Sequence, residues 1–117
     1  MSGTVRSIRE EAFEGLHDLE ALVRKHRLHE VLVALRDSRA YEANDRILVD
    51  WLRLVGIPTT QAEFLADAKW LSEAGLIALR SACEYQVATL TERGLEVARG
   101  QATHSGVLRR VPREEVR

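Results

Sequence analysis

The stretch IPTTQAEFLADAKWLSEAGLIALRSACEYQVATLT, residues 57–91, decides the fold. Thr60 and Glu63 have the spacing of a capping box, in which a hydroxyl and a carboxylate each accept a hydrogen bond from a free backbone N–H at a helix start. Phe64 and Ala68 then begin an apolar stripe at helical spacing. The stretch therefore predicts a helix that starts after Thr60.

The second half of this stretch has the pattern of a β-hairpin. Gly75 is placed to end the helix, because glycine readily adopts the left-handed conformation that follows a last turn. Two short apolar runs, at 76–79 and 85–90, flank the polar residues 80–84. Paired runs of this kind predict two antiparallel strands, although no Asn-Gly or Asp-Gly pair marks the turn.

Two more helices are predicted upstream of the stretch. Residues 27–37 hold a compact apolar set, and residues 45–55 form a stripe that follows Asn44, a favourable N-cap residue. Gly56 ends the second helix, and Pro58 prevents the chain from continuing it. Two helices joined by so tight a turn are typical of a helix-turn-helix, and the following hairpin extends the plan to a winged helix-turn-helix.

The N-terminal residues 5–23 carry apolar side chains every three or four positions, which predicts an additional amphipathic helix. This helix either continues into the next one or breaks near residues 24–26. Its apolar face has to be buried, but a stripe does not reveal which chain covers it. Packing within its own domain and a homodimer through the N-terminal helix therefore both stay open.

The expected fold class is mostly α with a small β-hairpin, that is, a winged helix-turn-helix with an extra N-terminal helix. Residues 1–23 are predicted to form an N-terminal helical extension. Residues 24–100 are predicted to form the winged helix-turn-helix domain, including a last helix capped by Thr91. Residues 101–117 turn polar and basic, and we expect them to form a flexible tail.

Composition narrows the class of protein. The chain has 117 residues, of which 45% are hydrophobic and 30% charged, as in a soluble single-domain protein. No apolar run approaches the roughly 20 residues that cross a bilayer, and the first residues lack the apolar core of a secretory signal. We therefore expect no membrane partner and a cytoplasmic location. The single cysteine, Cys83, excludes an internal disulfide and a zinc site built on several thiolates.

Catalytic and metal chemistry have little support. His26, His29 and Glu30 share a helix face and could begin a metal site, but no third strong ligand is evident, and surface histidines are the simpler interpretation. Ser72 and Ser81 have no histidine and aspartate partners suggested by spacing. No glycine-rich loop follows a strand to hold a phosphate. We expect neither an enzyme nor a bound cofactor or metal.

Three segments carry a resemblance to a known family: Trp70–Ile77, Val87–Gly94 and Gly106–Arg110. In their order and spacing they resemble small winged-helix proteins encoded by Mu-like phages and prophages, over about residues 25–112. The resemblance implies a winged helix, a phage origin and the cytoplasm of a bacterial host. It brings no settled activity, and both regulation of phage genes and a role near packaging are consistent with it.

A DNA-binding winged helix needs a helix in the major groove and cations on phosphates. The predicted contacts are Thr60, Gln61 and Lys69 in the groove, and Arg80, Arg109 and Arg110 on the phosphates. We therefore expect double-stranded DNA as a partner and the protein to act as a transcriptional regulator or packaging-associated factor, bound as a dimer.

The charges argue against DNA binding and keep an alternative open. The whole chain has a net charge of −1, and Glu63, Asp67 and Glu73 are expected to face outward on the recognition helix. Only Lys69 opposes them there, so that helix would repel phosphates. The alternative is a protein–protein interaction module on the same scaffold, which binds a phage or host protein and not DNA.

Overall fold

A computed structural model describes residues 8–108, with side chains from Asp18 onward. In chain order the elements are α1 (Ile8–Arg36), a short 3-10 turn (Arg39–Tyr41), β1 (Glu42–Asn44), α2 (Asp45–Leu54), α3 (Gln61–Glu73), β2 (Ile77–Ala82), β3 (Tyr85–Leu90) and α4 (Glu92–Ala98). The protein is thus mostly helical, with one small antiparallel sheet.

Helix α1 runs without a break through residues 24–26. Its C-terminal half supplies a fully buried set to the core, namely Leu28, Val31, Leu32 and Leu35. The helix therefore crosses the predicted boundary between residues 23 and 24, and the division of the chain into segments stays a prediction.

The local signals for the helix ends are confirmed. The Thr60 hydroxyl accepts a hydrogen bond from the Glu63 backbone N–H at 3.1 Å, and the Glu63 carboxylate accepts one from the Thr60 N–H at 3.0 Å. Asn44 caps α2 and Thr91 caps α4, each through its side-chain oxygen. Gly75 has a φ of +78°, which a side chain would strain. These ends form where expected because each cap depends on neighbouring residues only.

The sheet has three strands in the order β1-β3-β2, and not the two of the expected hairpin. β1 pairs Ala43 with Ala88 and lies between two of the predicted helices, where the sequence predicted no strand. A strand of three residues is too short for an alternation of apolar and polar residues to reveal it. The hairpin itself is tighter than expected, because Ala82 pairs directly with Tyr85.

One hydrophobic core joins the helices to the sheet. Phe64, Leu71 and Leu76 are among its fully buried members. Residues 101–108, which we placed in a flexible tail, pack against this body, and Val107 is buried in the core. The remaining tail residues lie outside the described residues. No helix in the described part of the chain is long and apolar enough to cross a membrane.

Candidate nucleic-acid interface

Helix α3 presents one side to solvent along its whole length. The exposed side chains there, which we call the outer face of α3, are Gln61, Ala62, Leu65, Ala66, Lys69 and Glu73. The side chains of Ala62 and Ala66 are short, so the helix backbone can closely approach another surface in the middle of this face. A helix with such a face has the shape that fits a major groove.

Asp67 does not belong to the outer face, so the expectation that it faces outward is wrong. It is buried, and its carboxylate accepts a hydrogen bond from the Arg27 guanidinium on α1. Arg24 lies 3.5 Å from its other oxygen. Because two arginines neutralise Asp67 on the inner side of α3, the outer face carries one acidic side chain fewer than the sequence indicated.

The two acidic side chains that remain exposed on α3 lie near its ends. Glu63 belongs to the first turn, where the backbone N–H and the hydroxyl of Thr60 hold the pKa of its carboxyl below the usual 4.5. Glu73 is the last residue of the helix. On the outer face Lys69 therefore has Glu73 one turn further along the helix, whereas no exposed carboxylate lies between Glu63 and Lys69.

Gln61 is held by a buried carboxylate. Its side-chain amide donates to Asp45, which also accepts a hydrogen bond from the Gln86 backbone N–H at 3.3 Å. Asp45 is thus a link between α2, α3 and β3. Gln61 keeps its carbonyl oxygen and a second amide hydrogen for a partner, and these are the two groups that a glutamine uses to bind adenine.

The other residues that were predicted to contact DNA do not lie together on one surface. Thr60 lies at the start of α3 with both its hydroxyl and its N–H engaged in the capping box, so its backbone N–H is not open to a phosphate. Arg80 lies on β2, where it is exposed and donates to Glu42 on β1 at 3.1 Å. Arg109 and Arg110 lie outside the described residues. The structure therefore brings Gln61 and Lys69 together on one face, with Arg80 on a different element.

Two further cations lie beside α3, and the sequence alone does not identify them as candidates. Arg46 and Arg53 on α2 line a shallow groove together with Thr60 and Gln61. Arg46 pairs with Glu84 at the hairpin tip and lies over the Tyr85 ring, 5.2 Å from its centre. A signal was present, since both arginines fall on the solvent side of the α2 stripe, but nothing in the sequence shows that this side adjoins α3.

The histidines among residues 18–108 do not assemble a site. His29 is buried, so the expectation of a surface position is wrong for this residue. Across residues 18–108 no cluster of three histidine, cysteine, aspartate or glutamate side chains has the geometry for a metal ion. His104, isolated in sequence, packs edge-on against the Trp70 ring at 5.1 Å between ring centres. It helps to fasten the segment after α4 onto α3.

Comparison with known proteins finds a relative of this chain. Over 72 residues it is 38% identical to protein gp26 of Escherichia phage Mu, a match that covers 62% of this chain and 75% of gp26. The chain belongs to the gp26 family. The phage character that the sequence implied is thereby confirmed, while gp26 itself is described as uncharacterized. No family model and no solved structure matches the chain.

Proposed function

We propose that this member of the gp26 family is a winged-helix protein that binds double-stranded DNA through the outer face of α3. The order α1, β1, α2, α3, β2, β3 supports the winged-helix assignment, because helix-turn-helix and hairpin follow each other as that fold requires. In a phage, such a protein acts as a transcriptional regulator or as a packaging-associated factor.

The burial of Asp67 is the observation that carries the proposal. With its carboxylate neutralised by Arg27 and Arg24, the middle of α3 carries no exposed carboxylate between Glu63 and Glu73, which leaves room there for a phosphate backbone. Gln61 then reads a base edge, and Lys69 neutralises a phosphate beside the groove. Short alanines between them let α3 enter deeply.

Cations on neighbouring elements supply the other phosphate contacts of the proposed interface. Arg46, Arg53 and Arg80 are exposed; the first two pair with exposed carboxylates and Arg80 pairs with the half-buried Glu42. Exposed ion pairs are worth only about 0–1 kcal/mol, so the arginines exchange a carboxylate for a phosphate at little cost. The net charge of −1 is then no obstacle, because local charge decides the contact.

The test is a pair of charge reversals measured by fluorescence anisotropy with a labelled duplex of random sequence. Lys69→Glu places a carboxylate on the outer face, and we expect it to weaken binding about tenfold or more. Arg93→Glu makes the same change of charge on α4, which packs against α1 and β3, and we expect a change of about twofold or less. Equal losses in both variants would contradict the placement of the interface.

A protein–protein interaction module is the second candidate, and a specific observation favours it. Ile47, Trp51 and Leu54 are exposed in a row along α2, and Leu54 is 80% exposed. An exposed row of apolar side chains belongs to a contact surface more often than to a surface that stays in water. A folded protein that fails to bind duplex DNA at low salt would favour this candidate over DNA binding.

A further inference from the structure

Helix α1 carries two apolar stripes on opposite sides. Leu28, Leu32 and Leu35 are fully buried, whereas Leu19 and Val23 are 55% and 37% exposed. Leu19 and Leu28 are separated by about two and a half helical turns, so their side chains point in opposite directions. In the part of the chain that the structure describes, the core covers only the C-terminal stripe.

The uncovered stripe is continuous with exposed apolar side chains of α2. Leu22 and Val23 line a groove with Val55, which follows the last residue of α2. Trp51 lies one turn before Val55 and therefore on the same side of that helix. We call this surface the α1–α2 apolar face, and its large exposed members are Leu19, Leu22, Val23, Trp51, Leu54 and Val55.

The area of the face suits a protein partner. Exposed fractions between 37% and 80% on these six side chains leave roughly 500 Å² of apolar surface open, the size of patch that marks an interaction site. A standard interface buries about 800 Å² on each partner, part of it polar. The rest of the area that such an interface buries comes from the polar residues that border the face.

The charges of α1 are complementary to those of a second α1 in the reverse direction. Residues 8–20 hold five carboxylates and one arginine, whereas residues 24–27 read Arg-Lys-His-Arg. Asp18 and Lys25 are both exposed and occupy the same position of consecutive heptads. Arg24 and Arg27 are engaged with Asp67 in their own chain, so Lys25 is the cation of this segment that a second α1 meets. Antiparallel pairing brings Asp18 of each helix against Lys25 of the other, whereas parallel pairing opposes like charges.

We propose that the α1–α2 apolar face binds a second copy of this chain, with the two α1 helices antiparallel and crossing near Leu22. Asp18 of each copy then lies beside Lys25 of the other. A twofold axis repeats every contact, so the stripe of each copy is buried and the Asp18–Lys25 ion pair occurs twice. The dimer presents two α3 helices, but its formation does not require DNA, and all tests of it are made without DNA.

The first test is the mass in solution, measured by light scattering after gel filtration. The wild-type chain is expected at about 26 kDa, twice its 13.2 kDa, at tens of micromolar. Leu22→Glu places a charge in the centre of the face, and we expect the dissociation constant to rise about 100-fold or more. Leu65→Glu makes a similar change at a residue that is 39% exposed on α3 and is expected to stay dimeric. A monomeric wild type, or a dimeric Leu22→Glu variant, would overturn the proposal.

The second test concerns direction and uses exposed residues only, so that folding is preserved. Asp18→Lys and Lys25→Asp each oppose like charges across the antiparallel pair, and we expect each to weaken the dimer about five- to tenfold. The double variant restores opposite charges and is expected to return the dissociation constant to within about threefold of wild type. A double variant as weak as either single variant, or weaker, would rule out the antiparallel arrangement.

Discussion

The Asp67 carboxylate on α3 is paired with the Arg27 guanidinium on α1, and both side chains are largely removed from water. This pair fixes α3 against the long helix and turns the outer face of α3 toward solvent. It is therefore a structural contact, and under the proposed function it is also the condition for contact between α3 and a phosphate backbone.

Removal of Asp67 is expected to be costly. Asp67→Ala leaves Arg27, whose side chain is 12% exposed, without its buried counter-charge, and we expect a loss of about 3–5 kcal/mol in the free energy of unfolding. Chemical denaturation measures it. Arg24→Ala is the control, because Arg24 is 42% exposed and should cost about 1 kcal/mol or less. Similar losses for the two variants would show that Asp67 is not the buried partner.

The capping box of α3 is expected to be sensitive to substitution and to pH. Thr60→Ala removes the hydroxyl that accepts from the Glu63 N–H, and we expect a loss of about 1 kcal/mol. The pKa of Glu63 is lowered by the hydrogen bonds from Thr60, so its contribution is fully present above pH 4.5 and is lost as the pH falls through the folded-state pKa.

A comparison of Glu63→Gln with wild type across pH tests this linkage. We expect the stability difference between the two proteins to be constant above about pH 5 and to shrink below about pH 4, because the wild-type carboxyl is then protonated and resembles the neutral amide. Thermal melts at matched ionic strength give the difference. A gap that stays unchanged down to pH 3 would contradict the proposed role of the Glu63 carboxylate.

Replacement by alanine is expected to change the stability of the protein in opposite directions at two helical glycines. A Cβ on Gly94 would lie 2.0 Å from the Leu76 carbonyl oxygen, so Gly94→Ala should cost about 3 kcal/mol or more. Gly15 has open space at the Cβ position, and Gly15→Ala should stabilise α1 by about 0.5–1 kcal/mol. Denaturation at one fixed protein concentration compares them. A harmless Gly94→Ala would contradict the close packing of α4 on the strand start.

The parts of the fold that depend on neighbouring residues could be predicted from the sequence. The caps at Asn44, Thr60 and Thr91 and the left-handed Gly75 are of this kind, since each needs only a few consecutive residues. β1 could not be predicted, because its pairing with β3 joins segments far apart in the chain and its three residues show no periodicity.

The candidate site was harder to predict than the fold for the same reason. The position of Asp67 next to the α3 stripe did not reveal that Arg27, forty residues earlier, neutralises it. Arg46 and Arg53 are likewise candidates for phosphate contacts only because α2 adjoins the start of α3, and the sequence does not show that adjacency. Helical periodicity identifies an apolar side, but it does not identify which charged side chains a neighbouring element covers.

The most direct test of DNA binding is the salt dependence of the affinity for a duplex of about 30 base pairs, measured by anisotropy from about 50 to 200 mM salt. If Arg46, Arg53, Lys69 and Arg80 each neutralise one phosphate, the slope of log K against log salt should be about −3.6 for each chain bound. Absence of binding at the lowest salt, with the protein folded and at about 50 μM, would contradict the account, since non-specific binding alone should be detectable there.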